Sequence, residues 1–231
     1  ARAEGRLIGI GLSSVVDPSV TNIAYVAIGK TVEERKQERP KSGSGESAVV
    51  KVDPLGGVHV MVCTNPQGQG HETVISQIVA AESGIDPNDV TVSDVVDTHN
   101  RLYSITTGSF SSRFASQGTT AVVRATRQVK EKMLKIGAHL LEANIEDMVL
   151  QDGKVFVKGA PEKSIRLRHI AGVAHWDQSA MPEGMDVGLF GTALYSMPTS
   201  QPPDDLDRVN SSNTSGFVAE AIVVEVDPET G

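Results

Sequence analysis

Two polar stretches carry the residues whose types and spacing could do chemistry. The first, residues 64–73, reads TNPQGQGHET and sets Gln67, Gln69 and His71 around two glycines, Gly68 and Gly70. A glycine-bearing bend between a strand and a helix lets backbone N–H groups approach a ligand, and the start of the helix favours negative charge. Such a bend suits a phosphate or an anionic cofactor. The second, residues 106–114, reads TTGSFSSRF and supplies Thr106, Thr107, Ser109, Phe110, Ser111, Ser112 and Arg113. Its hydroxyls and guanidinium, with the amides of the first, form a donor-rich set for phosphates and a polar heterocycle. Each stretch alone has a plainer reading: a simple glycine turn, and a Ser/Thr helix cap.

Other chemistries fit less well. Carboxylates are scarce at both bends, which disfavours hydrolysis by paired acids. The histidines His59, His71, His99, His139, His169 and His175 show neither HxxxH nor HxH spacing, so no metal site is assigned. His139 is expected to be a packing residue of a long helix. A Ser111–His71–Asp97 triad can be drawn, but no GxSxG elbow supports it. No catalytic residue is assigned. The single cysteine, Cys63, excludes an internal disulfide and a cysteine-held cluster within the chain. It points to a reducing, cytoplasmic setting.

With 21 basic against 29 acidic residues and a net charge of −8, nothing favours nucleic acid or an anionic membrane as partner. No apolar run approaches the roughly 20 residues of a membrane helix. Aromatics make up only 4% of the 231 residues, so a core must come from Val, Ile, Leu and Ala.

The elements that must position the two bends follow from periodicity. Residues 48–64 read as a hairpin, AVVKV and VHVMVC around the turn DPLGG. A helix is expected from His71 to about Ser83, with Val74, Ile75, Ile78 and Val79 at helical spacing and Gly84 as its stop. A strand over 89–97 completes a strand–helix–strand unit. A polar loop over 98–112 leads to a long helix from about 118 to 142, with Val122, Val129, Met133, Ile136 and Leu140 on one stripe. Both bends then follow strands and precede helices, and would share the carboxyl end of one sheet, where ligands bind in open α/β sheets. Elsewhere, residues 6–16 read as a buried strand and 20–28 as a second extended stretch. Residues 31–46 form a charged surface loop, and 148–158 a short hairpin turning at 151–153. A helix over 165–175 would start at Ser164. Residues 177–210 form a long loop with a strand near 188–195, and 216–226 the last strand.

The chain starts without Met and stops just past a strand at VDPETG, which reads as part of a longer polypeptide. AVVKVDP at 48–54 is echoed by IVVEVDP at 222–228, as expected if 216–231 began a second copy of the 48–142 module.

The stretch TNPQGQGHETVISQIVAAESGI, followed by DVVDT, GSFSSR and a long helix, resembles the molybdenum-binding large subunit of the xanthine dehydrogenase, aldehyde oxidase and aerobic carbon monoxide dehydrogenase family. The likeness runs from residue 48 to 231. It implies an α+β fold of mixed strand–helix–strand units, one lobe of a two-lobed, duplicated molybdopterin-binding domain. By this resemblance Gln67, Gly68, Gln69, Gly70 and His71 line the cofactor on its pterin side. Ser109, Phe110, Ser111, Ser112 and Arg113 run past the metal and grip pterin and phosphate. Ser111 stands where family members carry a small residue, in the manner of the hydroxybenzoyl-CoA reductase branch. Phe114 replaces a second hydroxyl seen in some members.

The implied cofactor is molybdopterin with molybdenum, in its cytosine dinucleotide form. FAD and 2Fe–2S clusters would sit on iron–sulfur and flavin partner subunits. The implied reaction oxidises an aldehyde, N-heterocycle, acyl-CoA or CO-type substrate with oxygen from water. The family's glycine run GGxFGxK, its substrate-side segment and its late glutamate base are not found in the 231 residues, so the resemblance gives this chain the holding of the cofactor. A catalytically silent scaffold and an unrelated nucleotide-binding domain are the competing readings.

Overall fold

The computed structural model describes residues 2–21, 23–39, 45–93, 97, 99 and 108–231. In chain order the elements are β1 (Leu7–Thr21), α1 (Val32–Gln37), β2 (Glu46–Val52), β3 (Val58–Val62), α2 (His71–Ser83), β4 (Val90–Ser93), α3 (Thr119–Leu140), β5 (Met148–Gln151), β6 (Lys154–Val157), β7 (Ala160–Arg166), α4 (Leu167–Trp176), β8 (Leu189–Tyr195) and β9 (Ser212–Val226). The class is α+β. A mixed four-stranded sheet runs β4–β3–β2–β8, β5–β6–β7 form a meander, and β1 and β9 form a two-stranded ribbon.

The expected hairpin forms with Ala48 opposite Val62 and Val52 opposite Val58. Its turn is closed by Asp53, whose Oδ1 accepts the N–H of Leu55 at 2.8 Å and of Gly57 at 3.0 Å. The strand–helix–strand unit follows: β3 and β4 are parallel, with Val58 beside Val90. Helix α2 ends where Gly84 turns left-handed (φ 70°), its N–H reaching the Ala80 carbonyl. A residue with a Cβ pays a steric penalty there that glycine avoids.

The inward alternation of β2 and β3 buries Val50, Val52, Val58 and Val60 against Ile75 and Val79 of α2 and Val122, Val129, Met133 and Ile136 of α3. Helix α3 presses closely on β8, since a Cβ on Gly191 would stand 2.2 Å from the Ala125 carbonyl oxygen.

Several expectations fail. Residues 6–16 are not a buried strand: Ile10, Leu12 and Val16 of β1 are exposed, because β1 pairs only with β9 and neither face of that ribbon gains a second layer here. Of residues 20–28, only 20–21 are extended, as the end of β1, and Ile23–Gly29 is a 3₁₀ segment. The charged loop placed at 31–46 holds α1, which starts at a capping box in which Glu34 and Thr31 cap each other, and its last residue, Glu46, lies buried in β2. Residues 40–44 lie outside the described residues. The helix expected from Ser164 starts at Leu167, because Ile165 pairs with Val155 in the meander. His139 is exposed, not packed. The likeness of 48–54 and 222–228 is one of sequence and does not bear on these failures: β2 lies in the four-stranded sheet and β9 in the ribbon. Among the described residues no helix is long and apolar enough to cross a membrane.

Candidate functional site

Parallel pairing of β3 and β4 sends the chain out of the sheet at one end, toward residues 63–70 and toward 94–112. Strand β2 runs antiparallel to β3, so its first residue, Glu46, arrives at that same end beside Thr64. The two bends meet there. The Ser109 hydroxyl donates to the Asn65 carbonyl at 2.6 Å and lies 3.3 Å from the Thr64 hydroxyl. The imidazole of His71 stacks on Phe114, ring centroids 3.8 Å apart and 17° from parallel. Thr106 and Thr107 lie outside the described residues.

Gln67, Gly68 and Gln69 are exposed, and the Gln69 side-chain oxygen accepts the N–H of Gln67. Gly68 (φ 97°) and Gly70 (φ 75°) are left-handed, and each has open space where a Cβ would stand. Gly70 is the N-cap of α2 and makes no side-chain cap hydrogen bond, and the positive end of the 13-residue helix lies at this bend. In the second bend Ser111 (φ 49°) and Ser112 (φ 51°) are both left-handed. The chain then enters a π-helical turn, Phe114–Gly118, that runs directly into α3; such turns recur at functional sites.

The guanidinium of Arg113 does not reach outward. It is fully buried, and its Nη1 lies 3.1 Å from Oε1 of the equally buried Glu46. Sequence reasoning placed this arginine among the outward donors and passed over Glu46 altogether. The signal was present: alternation along β2 sets residue 46 on the same face as Ala48, Val50 and Val52. Burial pushes the Glu46 carboxyl up, against the pull of Arg113, and burial lowers the guanidinium, against the pull of Glu46. The guanidinium keeps its proton in proteins, and at 3.1 Å it is placed to pair with the carboxylate. Cys63 completes the cluster. Its thiol donates to Glu46 Oε2 at 3.3 Å, and burial, then the neighbouring carboxylate, pushes its pKa up. The triad drawn from Ser111, His71 and Asp97 gains nothing: Asp97 accepts the N–H of His99, and the His71 ring lies flat against Phe114.

Among the described residues, a buried amide stands apart. Gln117 is fully buried, and neither its Nε2 nor its Oε1 has a hydrogen-bond partner. Among the described residues no three His, Cys, Asp or Glu side chains are grouped to hold a metal ion. A helix start without a side-chain cap, open glycines, hydroxyls and a buried amide fit a polar, anionic heterocycle with phosphate.

The comparisons agree with that chemistry. A family model, the molybdopterin cofactor-binding domain, matches residues 1–231. The chain belongs to this family. The nicotine 6-hydroxylase large subunit of Paenarthrobacter nicotinovorans is 30% identical over 231 residues, all of this chain and 25% of the relative. The carbon monoxide dehydrogenase large chain of Afipia carboxidovorans is 29% identical over 186 residues, 80% of this chain and 21% of the relative. Among solved structures, quinoline 2-oxidoreductase from Pseudomonas putida 86 superposes with a TM-score of 0.71 at 30% identity, over 99% of this chain and 26% of that one. The chain thus spans about a quarter of the length of these oxidoreductases.

Proposed function

We propose that this chain is the cofactor-holding part of a molybdenum hydroxylase subunit. The observation that carries the reading is the meeting of the two bends: Ser109 bonded to Asn65, and His71 stacked on Phe114. In this reading Gln67–Gly70 and the start of α2 line the pterin side. Ser109, Ser111 and Ser112 offer hydroxyls and backbone to pterin and phosphate, and Phe110 and the His71–Phe114 stack form apolar walls. The group held is molybdopterin with molybdenum, in the cytosine dinucleotide form. When bound, it supplies two-electron oxidation of an electrophilic carbon with oxygen from water. The protein's own share is to orient the group and exclude solvent around it.

The substrate class we propose is a small aldehyde, N-heterocycle, acyl-CoA or CO-type molecule. Electrons would leave through 2Fe–2S and flavin on partner subunits, in the cytoplasm. The module at 48–142 carries both bends, and 216–231 opens a second one.

Metal and pterin analysis of the full-length protein tests the reading. Molybdenum and a molybdopterin nucleotide in near-equal amounts are expected, and Gln69→Ala should lower both together. A folded protein devoid of both would leave only a scaffold. Affinity for free ATP or NAD would favour an unrelated nucleotide-binding domain.

A further inference from the structure

The bend at 108–113 is the strained part of the site, with two consecutive serines in left-handed backbone that L side chains rarely adopt. What holds it lies beneath it. Arg113 Nη1 donates to the Gly108 carbonyl at 3.4 Å, and the same nitrogen lies 3.1 Å from Glu46 Oε1. The residue that opens the bend is thus held by a guanidinium that its carboxylate partner in β2 fixes in place. The Arg113 Cζ also stands 5.0 Å from the centroid of the Phe110 ring, and the Arg113 N–H bonds to the Phe110 carbonyl at 3.1 Å. The pair is locked in turn. Cys63 donates to Glu46, and the Ser47 N–H bonds to the Cys63 sulfur at 3.2 Å.

We infer that Glu46 is a positioning residue: through Arg113 it fixes residues 108–113 in the conformation that presents the Ser109, Ser111 and Ser112 hydroxyls to the cofactor. This rests on the cofactor reading above and adds to it an assignment for a residue in β2. It also reassigns Arg113, whose charge is directed into the protein and not toward a phosphate. A buried pair of this kind adds little net stability, since desolvation offsets the attraction, and well-packed apolar residues serve as well or better. Its retention is explained if it does something an apolar pair cannot. Holding the Gly108 carbonyl and the Phe110 ring at once is such a task, because it takes a planar charged donor that an acceptor keeps in place.

That contrast supplies the experiment. In the full-length protein, Glu46→Leu alone should lose stability and cofactor together. The double variant Glu46→Leu/Arg113→Met should regain wild-type thermal stability, yet retain at least tenfold less molybdopterin. Recovery of occupancy along with stability would overturn the inference. Should the double variant stay unstable, Arg113→Lys decides. It keeps the charge but not the fork, so occupancy should fall with the fold intact, and unchanged occupancy overturns the assignment. A second readout is independent of the cofactor reading. In protein produced without molybdopterin, amide exchange at 108–113 should quicken at least tenfold in the double variant while that of α3 stays unchanged. Unaltered exchange at the bend would refute positioning even if the wild-type protein carries no pterin.

Discussion

The two bends reach the same end of the sheet by opposite means. Residues 65–70 are shaped locally: left-handed glycines at 68 and 70 and a Gln69 side chain folded back on Gln67 define a bend that is largely exposed. Residues 108–113 are shaped from a distance, by a buried ion pair whose acid lies more than sixty positions earlier in the chain. The first bend takes its turns from its own glycines and meets the rest of the site through the Asn65 carbonyl and His71. The second holds serines where glycine would be easier, because packing over-determines them. A site so built has one face set by local sequence and one face set by the fold.

Substitutions can break that contrast. The largest effect is expected from Glu46→Ala, which leaves the Arg113 charge buried without its carboxylate and should cost about 3–5 kcal/mol in denaturant unfolding. A loss below about 1 kcal/mol would mean that the second bend is as self-sufficient as the first. Next comes Gly70→Ala in the first bend. With open space around it, only the left-handed backbone resists, and about 1–2 kcal/mol should be lost; a larger loss would reveal tertiary constraint there too. Gln117→Leu should work in the other direction. In cofactor-free protein it removes an unpaired buried amide and should raise stability by about 1 kcal/mol, whereas cofactor retention should fall if the amide serves the ligand. A destabilised cofactor-free variant would show that the amide has a partner in the chain.

The smallest effect lies far from both bends. Asp204 is held at about 2, below the ordinary 3.8, chiefly by its hydrogen bond from Arg208 and then by backbone N–H groups. Because the folded value is depressed, its contribution is complete above the unfolded value and lost as pH falls toward 2. The amide resonances of Leu206 and Arg208, which donate to this carboxylate, should shift with a midpoint near 2. In Arg208→Ala the midpoint should move back toward 3.8.

Much of the scaffold around the first bend could be read from the chain, since its causes are local. His71 opens α2, Gly84 closes it, and the period-two run of β2 and β3 around Asp53 forms the hairpin as expected. The same logic failed for β1. Its alternation and apolar content suit a buried strand, but burial depends on a second layer, and the ribbon with β9 offers none within this chain. It failed for α1 because a capping box was overlooked in a run of charges. At the site, Arg113 was legible as a cation but not as an inward one.

By itself, then, the sequence determined the types of donor available, the two bends, the family they resemble, and the strand–helix–strand unit that aims both bends at one edge. Those follow from backbone geometry and residue chemistry over short separations. Tertiary structure decided that Glu46 passes under the second bend, that Arg113 turns to meet it, and that His71 closes on Phe114. An ion pair with low-dielectric surroundings forms only where distant segments exclude water from it, and no spacing along the chain records where that will be.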